Sequence, residues 1–287
     1  MTPPALTMTG TPSIPTLALP RDGGAMPKLG LGTWPMRGAE CRRAVESALA
    51  LGYRHIDTAE MYGNEADIGA ALAESGQPRD GLFVTTKVWH DHLTPSGIRA
   101  ACEASLERLR LGHADLYLVH WPNPAMDLDA VLGAMARLKE DGLARAVGVS
   151  NFPPGLLRRA LGIGAPIACV QVEYHAYLAQ DRLLALTRPA GVALTAYSPT
   201  AKGAGEKDPV LQGIARKHGR TPTQVALAWL LEQDGVAAIP KAAGEGNQRA
   251  NLEAASLRLD EDDRAAIAAL PKNRRLVDPG IVSDWDA

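Results

Sequence analysis

From about residue 30 onward the chain repeats one pattern: a short apolar run closed off by Gly, Pro or polar residues, then a longer stretch with apolar residues at helical spacing. Eight such runs lie near 30–34, 54–58, 83–87, 115–120, 145–150, 168–173, 193–198 and 237–240. Runs of this length and composition suit strands buried on both faces, as parallel sheets require. The intervening patterns predict helices over 39–51, 66–75, 95–109, 128–141, 154–161, 181–189 and 222–233, and a last helical region over about 247–269. Thr94-Pro95 and Thr221-Pro222 read as an N-cap followed by a first-turn proline, and Gly112, Gly142, Gly191 and Gly219 stand where helices should stop. Eight strand–helix pairs in one chain predict an α/β fold of the (β/α)8 barrel class.

Ahead of the repeat, Ile14 to Trp34 reads as two short strands around the turn signal Asp22-Gly23-Gly24, a β-hairpin expected to plug the barrel floor. Residues 1–13 are rich in Pro and Thr with little to bury and are expected to be disordered, which leaves 14–287 as one barrel domain. A net charge of −2 offers no basic footprint for nucleic acid or an anionic membrane. No stretch has the form of a secretory signal or a membrane span, and Cys41, Cys102 and Cys169 are too few for a disulfide framework, so a cytoplasmic location is expected.

Three of the apolar runs end in a residue capable of proton chemistry: "YRHID" in Asp57, "LFVTTK" in Lys87 and "LYLVH" in His120. The carboxyl ends of parallel barrel strands face one mouth, so these three groups should converge there, joined by Tyr62 from the loop "TAEMYGNE". Reducing a carbonyl requires a proton at oxygen, and a phenol with a pKa of about 10 is a reluctant acid at neutral pH. Lys87 as an ammonium is expected to lower the Tyr62 pKa, Asp57 to hold Lys87 charged, and His120 to orient the carbonyl oxygen. Each residue alone is weak evidence; the four at one end of neighbouring strands are hard to obtain by accident.

In order along the chain stand "GYRHIDTAEMYGNE", "TTKVW", "LYLVHWP", "GVSNF", "QVEYH", "AYSP" and "IPK". With these motifs the stretch from about Ile14 onward resembles the aldo-keto reductases, and among them is most similar to the bacterial 2,5-diketo-gluconate reductases of the B type. The resemblance implies a monomeric, NADPH-dependent barrel enzyme acting on small carbonyl substrates, with NADH a weaker alternative cofactor. It implies Tyr62 as acid, Asp57 and Lys87 as its tuning pair and His120 as the orienting group. It further implies a cofactor site in which Thr33 and Asp57 line the nicotinamide end, Ser150, Asn151 and Gln171 bond the carboxamide, and Tyr197, next to Ser198, stacks on the ring. The loop 199–205 would close over the pyrophosphate, Lys241 would meet the 2′-phosphate and Asn251 the adenine. Many relatives carry arginine where Asn247 stands and serine where Ala242 stands, which weakens the expected preference for NADPH.

Trp34, Trp89 and Trp121 follow the first, third and fourth barrel strands, and Trp285 lies in a tail expected to cross the mouth, so with His120 they form the expected substrate pocket. Methylglyoxal-like 2-oxo aldehydes, aromatic aldehydes and keto-sugar acids all suit such a wall. His90-Asp91-His92 has the spacing of a metal pair, but no further ligands appear at later strand ends, and no metal is expected. His175 reads as a structural hydrogen-bonding residue, the three cysteines as inert core thiols, and "GLGTWP" as a tight barrel entry because Pro35 breaks any phosphate-loop pattern. Two rival readings are a cofactor-binding regulatory subunit with little turnover and a metal-dependent barrel hydrolase.

Overall fold

The computed structural model describes residues 14–285, so the 1–13 stretch and its expected disorder lie outside the described residues. Strands β1 (Thr16–Ala18) and β2 (Ala25–Pro27) pair antiparallel with Leu17 opposite Met26. Eight further strands follow: β3 (Leu31–Gly32), β4 (His55–Asp57), β5 (Phe83–Val88), β6 (Ala114–Val119), β7 (Ala144–Ser150), β8 (Ile167–Glu173), β9 (Ala193–Tyr197) and β10 (Val236–Ala238). Each pairs parallel with the next in chain order. Bridges from Leu29 to Ala238 and from Gly32 to Lys241 join the first of the eight to the last and close the barrel. Gly32 is required at this seam, since a Cβ there would stand 2.5 Å from the Ile239 carbonyl oxygen.

Side chains on a strand alternate between faces, so one strand serves two cores. Val84 and Val88 of β5 and Tyr117 and Val119 of β6 pack outward in the large cluster beneath the helices. Phe83, Leu116, Leu118, Ala146 and Cys169 fill the barrel's lower interior. Leu19 and Met26 from the hairpin join that inner cluster, so the hairpin does stopper the floor. Continuing the same inward rows upward leads from Phe83 to Lys87 and from Leu118 to His120. The floor is mostly apolar, with His55 beside Phe83 and bonded to Thr85 as a buried polar exception, while Lys87 and His120 stand at the mouth.

The helices are α1 (Gly38–Leu51), α2 (Glu65–Glu74), α3 (Pro95–Leu109), α4 (Leu128–Glu140), α5 (Pro154–Gly162), α6 (Asp181–Thr187), α7 (Pro209–His218), α8 (Pro222–Leu231), α9 (Glu245–Ala254) and α10 (Glu261–Ala268). Thr94 and Thr221 cap α3 and α8 as expected, the latter through a reciprocal capping box with Gln224. Two expectations need correction. Helix α7 is absent from the expected pattern, although Asp208 caps it through the amides of Val210 and Leu211, Pro209 opens it and Gly219 ends it at φ 61°. The helical region expected over 247–269 is two helices, because Leu257 and Leu259 drop into the core between them and Asp260 starts a new cap. No described helix is long and apolar enough to cross a membrane.

Asp263 ties α10 to α7. Its buried carboxylate accepts Lys217 Nζ at 2.8 Å and His218 Nε2 at 2.6 Å, and bonds the Asp260 amide, which together hold its pKa at about 2 against the cost of burial. A depressed carboxylate pKa contributes stability above the unfolded value of 3.8 and loses it as pH falls toward the folded value. Asp263→Ala should destabilise the fold by about 2–3 kcal/mol at pH 7. Urea unfolding of both proteins at pH 7 and pH 3 checks this: the gap between them should narrow at the lower pH.

Candidate active site

The mouth of the barrel opens into a cleft of about 840 Å³. Asp57 ends β4 and Lys87 sits one residue before the end of β5; their register places them on neighbouring strands facing the same interior. Lys87 is wholly buried, and its Nζ donates to Asp57 Oδ1 at 2.6 Å and to the Thr58 carbonyl at 2.7 Å. The second carboxylate oxygen of Asp57 accepts Gln171 Nε2 at 2.7 Å, so one carboxylate spans from β5 to β8. Tyr62 comes from a single 3₁₀ turn, Glu60–Tyr62, ended by Gly63 at φ 65°. That turn lays the phenol ring over Lys87, with Nζ 5.1 Å from the ring centroid. Thr58 Oγ1 donates to Asn64, whose amide bonds the carbonyls of Thr33 and Met36, and so ties the loop bearing Tyr62 to the loop after β3.

The His120 ring stands edge-on to Tyr62 at 5.5 Å and to Trp89 at 5.1 Å. Its Nδ1 is buried with no hydrogen-bond partner among the described residues. Burial first, and the Lys87 ammonium second, drive the imidazole well below its ordinary pKa of 6.5, leaving it neutral with one N–H to offer. The Tyr62 phenol moves the opposite way from the expectation. Desolvation, reinforced by the Asp57 charge, raises it well above 10.0, so the ring keeps its proton at neutral pH. The expectation considered the ammonium alone; here burial outweighs it. Burial likewise lowers the Lys87 pKa, opposed by Asp57.

Thr33, Trp34, Asp57, Tyr62, Trp89, His120, Trp121, Asn151, Gln171, Tyr197, Ser198 and Lys241 all line this one cleft. Asn151, at φ 61°, donates to the His120 carbonyl and accepts the Tyr197 hydroxyl at 2.7 Å, which holds the Tyr197 ring at its hydroxyl. Trp34 is 47 % exposed and tilts against Tyr62, the one large aromatic left open at the rim. Four expected residues are not on its wall: Lys87, wholly buried, and three that stand elsewhere. Ser150 is fully buried with its hydroxyl accepting Asn151 Nδ2, one shell behind the cleft wall. Asn251 is buried beside the Tyr53 hydroxyl, because α9 turns that face inward. Trp285 packs on Trp121 and under Arg275 rather than on the cleft surface.

Other lining residues were not singled out from the sequence: Met61, Ile239 and the run Leu276–Pro279 of the C-terminal segment. The available signal was the apolar pair Leu276-Val277, directly after the polar run Lys272–Arg275. His92 bonds Glu60, while His90 tilts against the Trp89 ring and pairs with Asp91. Among the described residues no group of three His, Cys, Asp or Glu side chains is placed to hold a metal. Cys41, Cys102 and Cys169 are buried, and desolvation pushes each thiol up to about 12.

A phenol holding its proton, a buried ammonium beneath it and a neutral imidazole beside it can together protonate an oxyanion as it forms. Comparison with known proteins agrees with that chemistry. The model of the aldo/keto reductase family matches residues 28–272. The chain is 41 % identical over 267 residues to methylglyoxal reductase DkgB of Escherichia coli O157:H7, covering 91 % of this chain and all of that one. It is 40 % identical over 264 residues to an aldo-keto reductase of Mycobacterium sp. (strain KMS), covering 91 % of this chain and 95 % of its relative. Among solved structures, an aldo/keto reductase from Brucella melitensis superposes with a TM-score of 0.85 at 35 % identity, covering 91 % of this chain and 99 % of the other. The chain belongs to the aldo/keto reductase family of oxidoreductases, whose members use a nicotinamide cofactor.

Proposed function

We propose that the protein reduces small aldehydes and ketones, 2-oxo aldehydes foremost, with NADPH as the preferred cofactor, Tyr62 as proton donor and His120 as the group that orients the carbonyl. The observation that carries this reading is the buried Lys87–Asp57 pair set directly beneath a protonated Tyr62 at the barrel-mouth cleft. Tyr62 must hold a proton before reaction and release it as the substrate oxygen gains charge. Desolvation secures the first condition, and the fixed Lys87 ammonium favours the phenolate at the second, without reorganisation at that moment. The neutral His120 offers its N–H to the same oxygen, 5.5 Å across from the Tyr62 ring centre. Trp34, Trp89 and Trp121 give the substrate end an apolar wall.

The donor set fits a nicotinamide nucleotide. The Asn151 and Gln171 amides can hold a carboxamide, the Tyr197 ring, held at its hydroxyl by Asn151, can stack on a pyridine face, and the exposed Lys241 on the cleft wall can meet a phosphate. When bound, the reduced cofactor supplies hydride to the carbonyl carbon. Assembly of all four proton-handling groups favours turnover over a regulatory role. The relatives named methylglyoxal reductase support a 2-oxo aldehyde as the substrate class.

Tyr62→Phe should abolish turnover of a reactive aldehyde while leaving the cofactor Kd, read by fluorescence, nearly unchanged; near wild-type kcat would remove Tyr62 from the chemistry. Asn247 is exposed near the start of α9 and uncharged, so Lys241 is the expected reader of the 2′-phosphate. Lys241→Ala should raise the Kd for NADPH about 10- to 150-fold and hardly alter that for NADH, the range of one charge-assisted hydrogen bond. Titration of both cofactors into both proteins decides it, and equal weakening would assign Lys241 another role.

Among the described residues, Asp278 is the one charged side chain that the C-terminal segment contributes to the cleft wall. A carboxylate there disfavours anionic substrates such as keto-sugar acids. Asp278→Asn should raise kcat/KM for an anionic keto acid about 2- to 5-fold relative to a neutral 2-oxo aldehyde, the scale of an exposed charge interaction. An unchanged ratio would show that Asp278 does not face the substrate.

A further inference from the structure

Glu173 is fully buried at the last position of β8, two residues beyond Gln171 on the same face, yet the proposed chemistry does not use it. A buried carboxylate needs partners to stay in place. The partners here come from far along the chain. Its Oε1 accepts the Leu276 amide at 2.8 Å and its Oε2 the Val277 amide at 2.9 Å, more than one hundred residues away in sequence. His175 Nε2 lies 2.9 Å from Oε1, and the Nδ1 of the same ring accepts the Tyr177 amide. Around this point the C-terminal segment is laid against the loop after β8: Asn273 bridges Leu178, and the Arg274 amide bonds the Tyr177 carbonyl.

The two amides that Glu173 holds belong to residues whose side chains form one wall of the cleft, with Asp278 and Pro279 beyond them. The same Leu276 presents its carbonyl to Lys202 of the loop after β9, at 3.3 Å. The segment is therefore fixed from the barrel side by two charge-assisted bonds and from the solvent side by one. We infer that Glu173, oriented by His175, is a positioning residue for the reaction: it seats the 276–279 strap as the substrate-facing wall, and so sets KM and substrate discrimination without touching the reacting atoms. Charge matters because a carboxylate accepts both amides at once, whereas a carboxamide in the same space turns one N–H toward an N–H.

The inference rests on the carbonyl-reductase reading for its kinetic arm, and has a second arm that does not. In Glu173→Gln, hydrogen exchange of the backbone amides of Leu276 and Val277, followed in the C-terminal peptide by mass spectrometry, should quicken about 10-fold or more, with β8 protection retained. In the same variant KM for a 2-oxo aldehyde should rise by a larger factor than kcat falls, and discrimination between a small and a bulky aldehyde should shrink. Val277→Pro deletes one of the two donors while leaving Glu173 and its His175 partner intact, and, should the Gln variant fold poorly, is expected to quicken exchange of the remaining Leu276 amide and to raise KM in the same way. Unchanged exchange at 276–277 would overturn the anchor. Loss of kcat at unchanged KM would overturn the positioning role and place Glu173 among the reacting groups. Absence of aldehyde turnover in the unaltered protein would instead refute the proposed function, leaving the exchange result to judge the anchor alone.

Discussion

The structure turns on one buried ion pair. Lys87 and Asp57 are buried at the inner end of the barrel mouth, and a cation or anion alone at that depth would cost several kcal/mol. Together they bond each other at 2.6 Å, Lys87 also donates to the Thr58 carbonyl, and Asp57 also accepts Gln171. Those bonds fix β4, β5 and β8 relative to one another at the mouth. They also set the electrostatics that Tyr62 and His120 feel, one ring held above the ammonium and the other kept neutral beside it.

Around that pair the fold separates greasy and polar duties by height. The hairpin and the lower inward rows from Phe83, Leu116 and Ala146 make a mostly apolar floor, and Asp57, Lys87 and His120 stand at or just beyond the strand ends at the mouth. Loops supply what the strands cannot: Tyr62 from a one-turn helix, Trp34 from the first loop, and an outer wall from residues 276–279. The wall belongs to the chain's end, so a residue on β8 with no contact to substrate can govern the shape of the pocket.

Much of this was legible in the sequence, for a physical reason: barrel strands have a fixed period and a fixed polarity. Asp57, Lys87 and His120 each close an apolar run, so knowing the fold class places them together without coordinates. Helix ends were readable where caps were explicit, as at Thr94 and Thr221, while α7 was missed although Asp208-Pro209 carried the same kind of signal. The rest was hidden because it depends on burial and on long-range partners. Desolvation of Tyr62 reversed the expected direction of its pKa shift, the inward face of α9 took Asn251 to Tyr53, and nothing near Glu173 in sequence announces that Leu276 and Val277 are its partners.

The central claim is that Asp57 acts through Lys87, and that the pair sets the Tyr62 proton. A kinetic double-mutant cycle tests it: kcat/KM with one reactive aldehyde for the unaltered protein, Lys87→Met, Asp57→Asn and the double variant. Lys87→Met should cost about 10²-fold or more, the scale of disabling general acid catalysis, Asp57→Asn should cost less, and the double variant should be no worse than Lys87→Met alone. A larger loss in Asp57→Asn than in Lys87→Met, or losses that multiply in the double variant, would show that the two residues act independently and contradict the account.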